Sequence, residues 1–342
     1  MDLRPSDEQD QLTGAFAALY AKESSPERVR AAEPLGFDRP LWEKLGEMGV
    51  VAMAVDEEHG GWGASLLDLE LVAEQQGRSL AAAPVTEAQV AARLLARLGG
   101  PGTDALAAAV EGKRLVSLAL RPARGDRAEM VPAGAVADDL LVMVGDELRL
   151  VSPVGDRVTP ENVGSLPLAD LDVAGSPVLA SGPDALAAYD AAIDEWLALT
   201  AGALVGIAQR SLEIGVEYVK EREAFGQKIG GFQAISHRLA DSAAATDGAL
   251  LLAREAAWAA AEEPTRFAEL AAMAFAFAAE TARDASYRSL HFHGGYGFML
   301  EYDIQLYYRR ARAWAQVGMD PRRAYRRVAD RRYPHEQLGQ HA

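Results

Sequence analysis

The Ala-rich run "ISHRLADSAAATDGALLLAREAAWAAAEE" stops at Pro264, and "RFAELAAMAFAFAAETARDASYRSLHFHGG" follows with almost nothing between. Two helices of that length joined by a single proline break have no room for a crossover. They must fold back on each other as neighbours in an antiparallel bundle. Upstream, Val205, Ala208, Leu212, Val216 and Val219 recur at spacings of three and four, the apolar stripe of another long helix. A last helix is expected around "YDIQLYYRRARAWAQ", stopping near Gly318 and Pro321. Residues 186–342 therefore read as a C-terminal helical bundle.

Residues 1–112 are helical for different reasons. Ser6 followed three residues later by Gln9 is a capping-box pattern. Leu41, Leu45 and Met48 share one face before Gly49, while Leu66, Leu69, Val72 and Ala73 form a stripe that Gly77 is expected to end. Between 113 and 185 the texture changes to short β-leaning runs, "RLVSLAL", "DDLLVMVGDELRLVSP" and "SPVLASG", cut by Pro, Gly and Asp. "VGDELRLV" predicts a hairpin with a Gly-Asp turn. The fold class expected is mainly α with a small β-domain: N-terminal helical domain, central β-domain, C-terminal antiparallel bundle.

Composition removes several functions. A net charge of −16 argues against nucleic acid as a partner. The absence of cysteine excludes disulfides, thiolate metal sites and thiol nucleophiles, and fits a cytoplasmic location. The acidic start "MDLRPSDEQDQL" has no apolar signal core, and no long uncharged apolar run predicts a membrane span.

Two stretches carry chemistry. In "YVKEREAFGQKIGGFQAISHRLAD" a helix breaks at Arg222, Phe225, Gly226, Gly230 and Gly231. The glycines alone would suffice to turn one helix into the next. An Arg beside an aromatic on a tight turn can also hold a pyrophosphate and support a flat ring. In "HFHGGYGF" the pair Gly294-Gly295 either ends a helix or lets backbone N–H groups approach a nucleotide. His291 and His293 lack further ligands nearby, so no metal site is expected. Neither a G-x-G-x-x-G fingerprint nor a P-loop is present.

"REAFGQKIGGFQAISHRLAD", "HGGYGFMLEYDIQLYYRRAR" and "DEEHGGWGASLLDLELVAEQQGRSL" together resemble the acyl-CoA dehydrogenase family, in the same domain order. The resemblance implies FAD shared between neighbouring subunits, its isoalloxazine on the β-domain of one and its adenosine and pyrophosphate on the bundle of the next. The latter role falls on Arg222, Phe225, Gln233, Gly294 and Gly295, with His291 where the family more often has Gln.

The chemical half of the family pattern is missing. The glutamate base usually lies after the last helix, where an ungapped match gives Gly318; Asp320 is two residues away and shorter. The alternative base position, on the first bundle helix, falls on Trp196; Glu195 is adjacent but about 100° round the helix, leaving it only a fallback. The β-domain segments that cradle the flavin ring are replaced by "LALRPARGD" and "AGAVADDLLVM". This combination resembles the smaller, base-lacking subunit of heteromeric acyl-CoA dehydrogenases of actinobacterial steroid and cholesterol side-chain degradation. It implies a heterotetramer of two larger and two smaller subunits with two FAD. The larger subunit would supply base and ring pocket, a bulky acyl-CoA would lie at the junction, and an electron-transferring flavoprotein would accept the electrons. Two alternatives stay open: a self-sufficient homotetramer with an atypical base, and a catalytically inactive structural relative. The C-terminal arginines, among them Arg309, Arg310, Arg312, Arg327, Arg331 and Arg332, are either a solvated face with some ion pairs or a contact for a partner subunit or CoA.

Overall fold

The computed structural model describes residues 2–152 and 157–333; Pro153 of one β-leaning run and the bundle range from residue 334 onward lie outside them. Six helices come first: α1 (Asp7–Glu23), α2 (Pro26–Ala32), α3 (Arg39–Glu47), α4 (Leu66–Ser79), α5 (Val85–Leu98) and α6 (Thr103–Val110). The capping box at α1 is formed: the Gln9 N–H donates to Ser6 Oγ and the Ser6 N–H to Gln9 Oε1. Leu41 and Leu45 of α3 are fully buried, as are Leu69 and Val72 of α4. Gly77 does not end α4, which runs on to Ser79. A Cβ at Gly77 would stand 1.8 Å from the Ala203 carbonyl oxygen, so this glycine lets another helix pass at backbone contact.

The β-region holds β1 (Val116–Leu118), β2 (Arg127–Val131), β3 (Asp139–Val144), β4 (Glu147–Val151), β5 (Ala169–Asp172) and β6 (Val178–Ser181). One sheet has the order β1-β3-β4-β6, with β1 parallel to β3 and the rest antiparallel; β2 and β5 pair separately. The expected hairpin is present, with Val144 opposite Glu147 across Gly145-Asp146.

The rest is α7 (Gly182–Glu221), a small hairpin of β7 (Glu223–Ala224) and β8 (Gln227–Lys228), then α8 (Gln233–Glu262), α9 (Pro264–Phe292), α10 (Ile304–Gly318) and α11 (Pro321–Arg332). The 40-residue α7 is the axis, packed on α4, α5, α8, α9 and α10. By length and composition it could cross a membrane, but 94% of its most apolar window is buried in the fold, as a core helix requires. Because α8 returns between them, α7 and α9 run in the same direction and end together. α10 ends at Gly318 as expected, and Pro321 then opens a further helix, α11, that the sequence reading did not include. Pro321 lies in the first turn of α11, where a missing N–H is harmless, and Asp320 caps that helix by accepting the Arg322 N–H at 2.9 Å.

The C-terminal arginines are largely paired within the fold. Arg309 and Arg310 both reach Glu33, and Arg327 and Arg331 both reach Asp190 and Asp194. Arg312 lies over the Tyr308 ring at 4.6 Å. These contacts support the ion-pairing reading of the basic zone. Burial still holds Asp194 up at about 6 against the pull of the two arginines.

Candidate functional site

The first site forms where α7 and α9 end. Arg222 is the C-cap of α7, its N–H bonded to the Tyr218 carbonyl at 2.9 Å. The chain then makes the β7–β8 hairpin, whose two-residue turn is Phe225-Gly226. Both residues have positive φ, 54° and 80°, as a type I′ turn demands. Gly226 adopts this freely, whereas Phe225 is held there at a cost of about 1–2 kcal/mol. Its ring is nevertheless 95% exposed, touched edge-on by Phe232 at 6.1 Å. Gln233 stands exposed in the first turn of α8.

From the other side, α9 ends at His293, and Gly294 turns the chain with φ 62°. A Cβ at Gly294 or Gly295 would meet nothing within 4 Å, so the backbone there is open to an approaching group. Tyr296 lies under Arg222, guanidinium carbon to ring centroid 6.0 Å, which joins the two sequence motifs in space. His291 faces outward and stacks on Tyr287 at 6.1 Å. No hydrogen bond or ion pair ties the Arg222 guanidinium to another described residue. An exposed unpaired cation, an uncovered aromatic in a strained turn and bare glycine backbone fit an anionic, planar ligand such as the adenosine diphosphate half of FAD.

The second site lies toward the start of α7, where the two expected base positions meet. A Cβ at Gly318 would stand 2.7 and 2.8 Å from two carbons of the Trp196 indole and 3.0 Å from Leu120. The indole is 2% exposed, packs against Phe275 at 5.7 Å and donates from Nε1 to Glu87 at 3.2 Å. Burial pushes the Glu87 carboxyl upward, with the indole bond opposing. Arg121, from the run that replaces a flavin-cradling segment, donates to the Gln316 and Val317 carbonyls at 3.1 and 2.8 Å and clamps the end of α10. What remains beside Gln76, Leu80, Glu87, Trp196, Thr200 and Trp314 is a cavity of about 70 Å³.

The fallback base is elsewhere. Glu195 turns toward α5 and accepts from Arg93 at 3.0 Å and Arg97 at 2.7 Å, tying the N-terminal helices to the bundle. Asp320 is spent as a helix cap. Sequence reasoning missed Glu87, whose signal was a carboxylate amid the small and apolar residues of "VTEAQVAARL". It also missed Tyr218, Tyr296 and the burial of His293, which emerge only once α7 and α9 are known to run parallel.

Residues 6–108 match the family description "Acyl-CoA dehydrogenase, N-terminal domain" and residues 193–318 match "Acyl-CoA dehydrogenase, C-terminal domain". The chain is 32% identical to the acyl-CoA dehydrogenase IpdE2 of Mycolicibacterium smegmatis, covering 94% of this chain and 98% of that protein. Among solved structures it resembles the Tcur3481-Tcur3483 steroid ACAD G363A variant, with TM-score 0.88, 27% identity and coverage of 98% and 99%. It also resembles the ChsE4-ChsE5 complex from Mycobacterium tuberculosis, with TM-score 0.87, 27% identity and full coverage of both chains, 100% each.

Proposed function

The chain belongs to the acyl-CoA dehydrogenase family, and from that premise we propose that it is the base-lacking subunit of a heteromeric, FAD-dependent enzyme. The reaction introduces an α,β double bond into an acyl-CoA thioester: a carboxylate removes the α-proton, and bound FAD would supply the acceptor for the β-hydride. This chain's part is to hold the nucleotide. Arg222 neutralises the pyrophosphate, Phe225 offers a face or edge to adenine, and the backbone at Gly294-Gly295 admits close approach. Gln233, exposed in the first turn of α8, and His291, exposed near the end of α9, are the further polar side chains assigned to the nucleotide in this reading.

One observation carries the assignment of the base to a partner. At both positions where the family places its glutamate this chain has residues that exclude one, Trp196 seated directly on Gly318. The two structural relatives support a two-component assembly, since one is named as a complex of two proteins and another carries a paired name. The words "steroid ACAD" in the latter support a bulky, steroid-derived acyl-CoA as substrate. An electron-transferring flavoprotein is the acceptor that completes the proposal.

The test is expression alone and with a larger acyl-CoA dehydrogenase subunit. Alone, the chain should be colourless and inactive toward acyl-CoA. The complex should be yellow and active, and a partner variant without its catalytic carboxylate should lose turnover. Turnover by this chain alone would overturn the reading.

A further inference from the structure

Three successive rungs join α7 to α9 as both helices approach the nucleotide end. In the first, Gly215 meets Ser289 so closely that a Cβ on the glycine would stand 2.8 Å from Ser289 Oγ. One turn on, the rings of Tyr218 and His293 stack with centroids 3.8 Å apart and planes 22° apart, the tightest ring pair among the described residues. One turn further, Arg222 lies over Tyr296. The lack of a side chain at the first rung sets the helix spacing that the second requires, and the second stands directly beneath the third.

The middle rung is locked from three directions. The Arg222 N–H is bonded to the carbonyl of Tyr218 itself, so the cap that aims the guanidinium is built on the stacked residue. His293 is 5% exposed, and its Nδ1 lies 2.8 Å from the Ser289 carbonyl oxygen. A carbonyl can only accept, so Nδ1 carries the proton and the ring plane is fixed. Tyr302 meets the imidazole edge-on at 5.9 Å and itself lies 5.6 Å from Tyr296. His293 is also the residue immediately before Gly294, so its ring position sets where the glycine turn begins.

We infer that the Tyr218–His293 stack is a positioning pair that fixes the distance between the guanidinium of Arg222 and the Gly294-Gly295 backbone, and so sets affinity for a nucleoside diphosphate. The inference rests on the nucleotide-holding role proposed above. Neither ring has to touch the ligand. They act by keeping two helix ends in register, and misplacement by about 1 Å is enough to weaken a multidentate contact severely.

Calorimetric titration of the purified full-length chain with ADP tests this. Tyr218→Ala and His293→Ala should each weaken ADP binding about tenfold, as loss of a close aromatic pair together with its positioning effect implies. Tyr218→Phe, which keeps the ring, should stay within about twofold of wild type. The double alanine variant should be no weaker than either single one, since the two rings act as a unit. Circular dichroism checks that the variants remain folded, and the Tyr218→Phe rescue separates ring stacking from a general loss of structure. If Arg222→Ala weakens ADP binding while Tyr218→Ala and His293→Ala bind as wild type, the positioning role is wrong and the nucleotide site stands. The positioning role is equally wrong if Tyr218→Phe is as weak as Tyr218→Ala. If wild type fails to bind ADP, or binds it no better than Arg222→Ala, the nucleotide role falls as well.

Discussion

Two stations on one helix have opposite surroundings. Trp196 and Arg222 both belong to the α7 segment and its cap, separated by about 39 Å of helix at 1.5 Å per residue. Around Trp196 both expected base positions are closed: the indole is buried, its N–H bonded to Glu87 and the glycine opposite covered. Around Arg222 the opposite holds: an unpaired cation, an exposed Phe in a strained turn and uncovered glycine backbone. Exposed, unpaired charge and backbone strain gathered at one surface are what a ligand site presents, and the Arg222 end has both. On the function proposed above, the open end is the half of an active site that the chain contributes and the packed end is the half left to a partner.

Substitutions at the two ends should fail in different ways. Trp196→Ala, which empties a packed site, should lower stability by about 3–5 kcal/mol in denaturant unfolding. Its effect on ADP affinity should be within experimental error. Arg222→Ala should change stability by less than about 0.5 kcal/mol but weaken ADP by about 10- to 100-fold, the range for a charge-assisted contact to phosphate. If Trp196→Ala left stability intact, the packed end would not be closed as described.

Glu70 sharpens the comparison from within the closed half. It is fully buried against Gly202 of α7, and neither carboxylate oxygen has a partner. Burial, reinforced by Glu74, pushes its pKa up to about 8. Between the ordinary carboxylate range and that value the folded chain holds a proton that the unfolded chain releases. Stability should therefore fall as pH rises through this window, by up to about 1.4 kcal/mol per pH unit. Glu70→Gln should flatten that slope in thermal melts taken from pH 5 to 9. An unchanged slope would mean that other groups set the pH dependence.

The smallest effect is expected at Phe225. Phe225→Gly should release the left-handed strain and raise stability by about 0.5–1 kcal/mol, net of the entropy glycine loses on folding. The same change should weaken ADP, because the exposed ring is gone. A variant that lost stability would show that the ring packs on the fold rather than waiting for a ligand.

Much of this was readable from residues. The helix–strand–helix order followed from periodicity, the α1 cap from Ser6 and Gln9, and the Gly145-Asp146 hairpin from its turn chemistry. Glycine and proline act as punctuation only where their neighbours in space allow it. Gly77 sits inside α4 because α7 crosses there, and Pro321 opens α11 because Asp320 caps it. In the site, Arg222, Phe225, Gly294 and Gly295 were visible as breaks in helical pattern. That Trp196 rests on Gly318 was not visible, since each was read separately as a missing glutamate. Nor was the Tyr218–His293 stack, because its residues lie inside the helices and look like ordinary helix positions.

The central claim is that this chain grips the nucleotide of a flavin whose reactive centre lies in a partner. Flavin counted per polypeptide, in the complex with a larger acyl-CoA dehydrogenase subunit and in the same complex carrying Arg222→Ala, tests it most directly. One FAD for each pair of unlike chains is predicted in the first, and marked loss of FAD in the second. One FAD per copy of this chain purified on its own, together with oxidation of acyl-CoA, would contradict it.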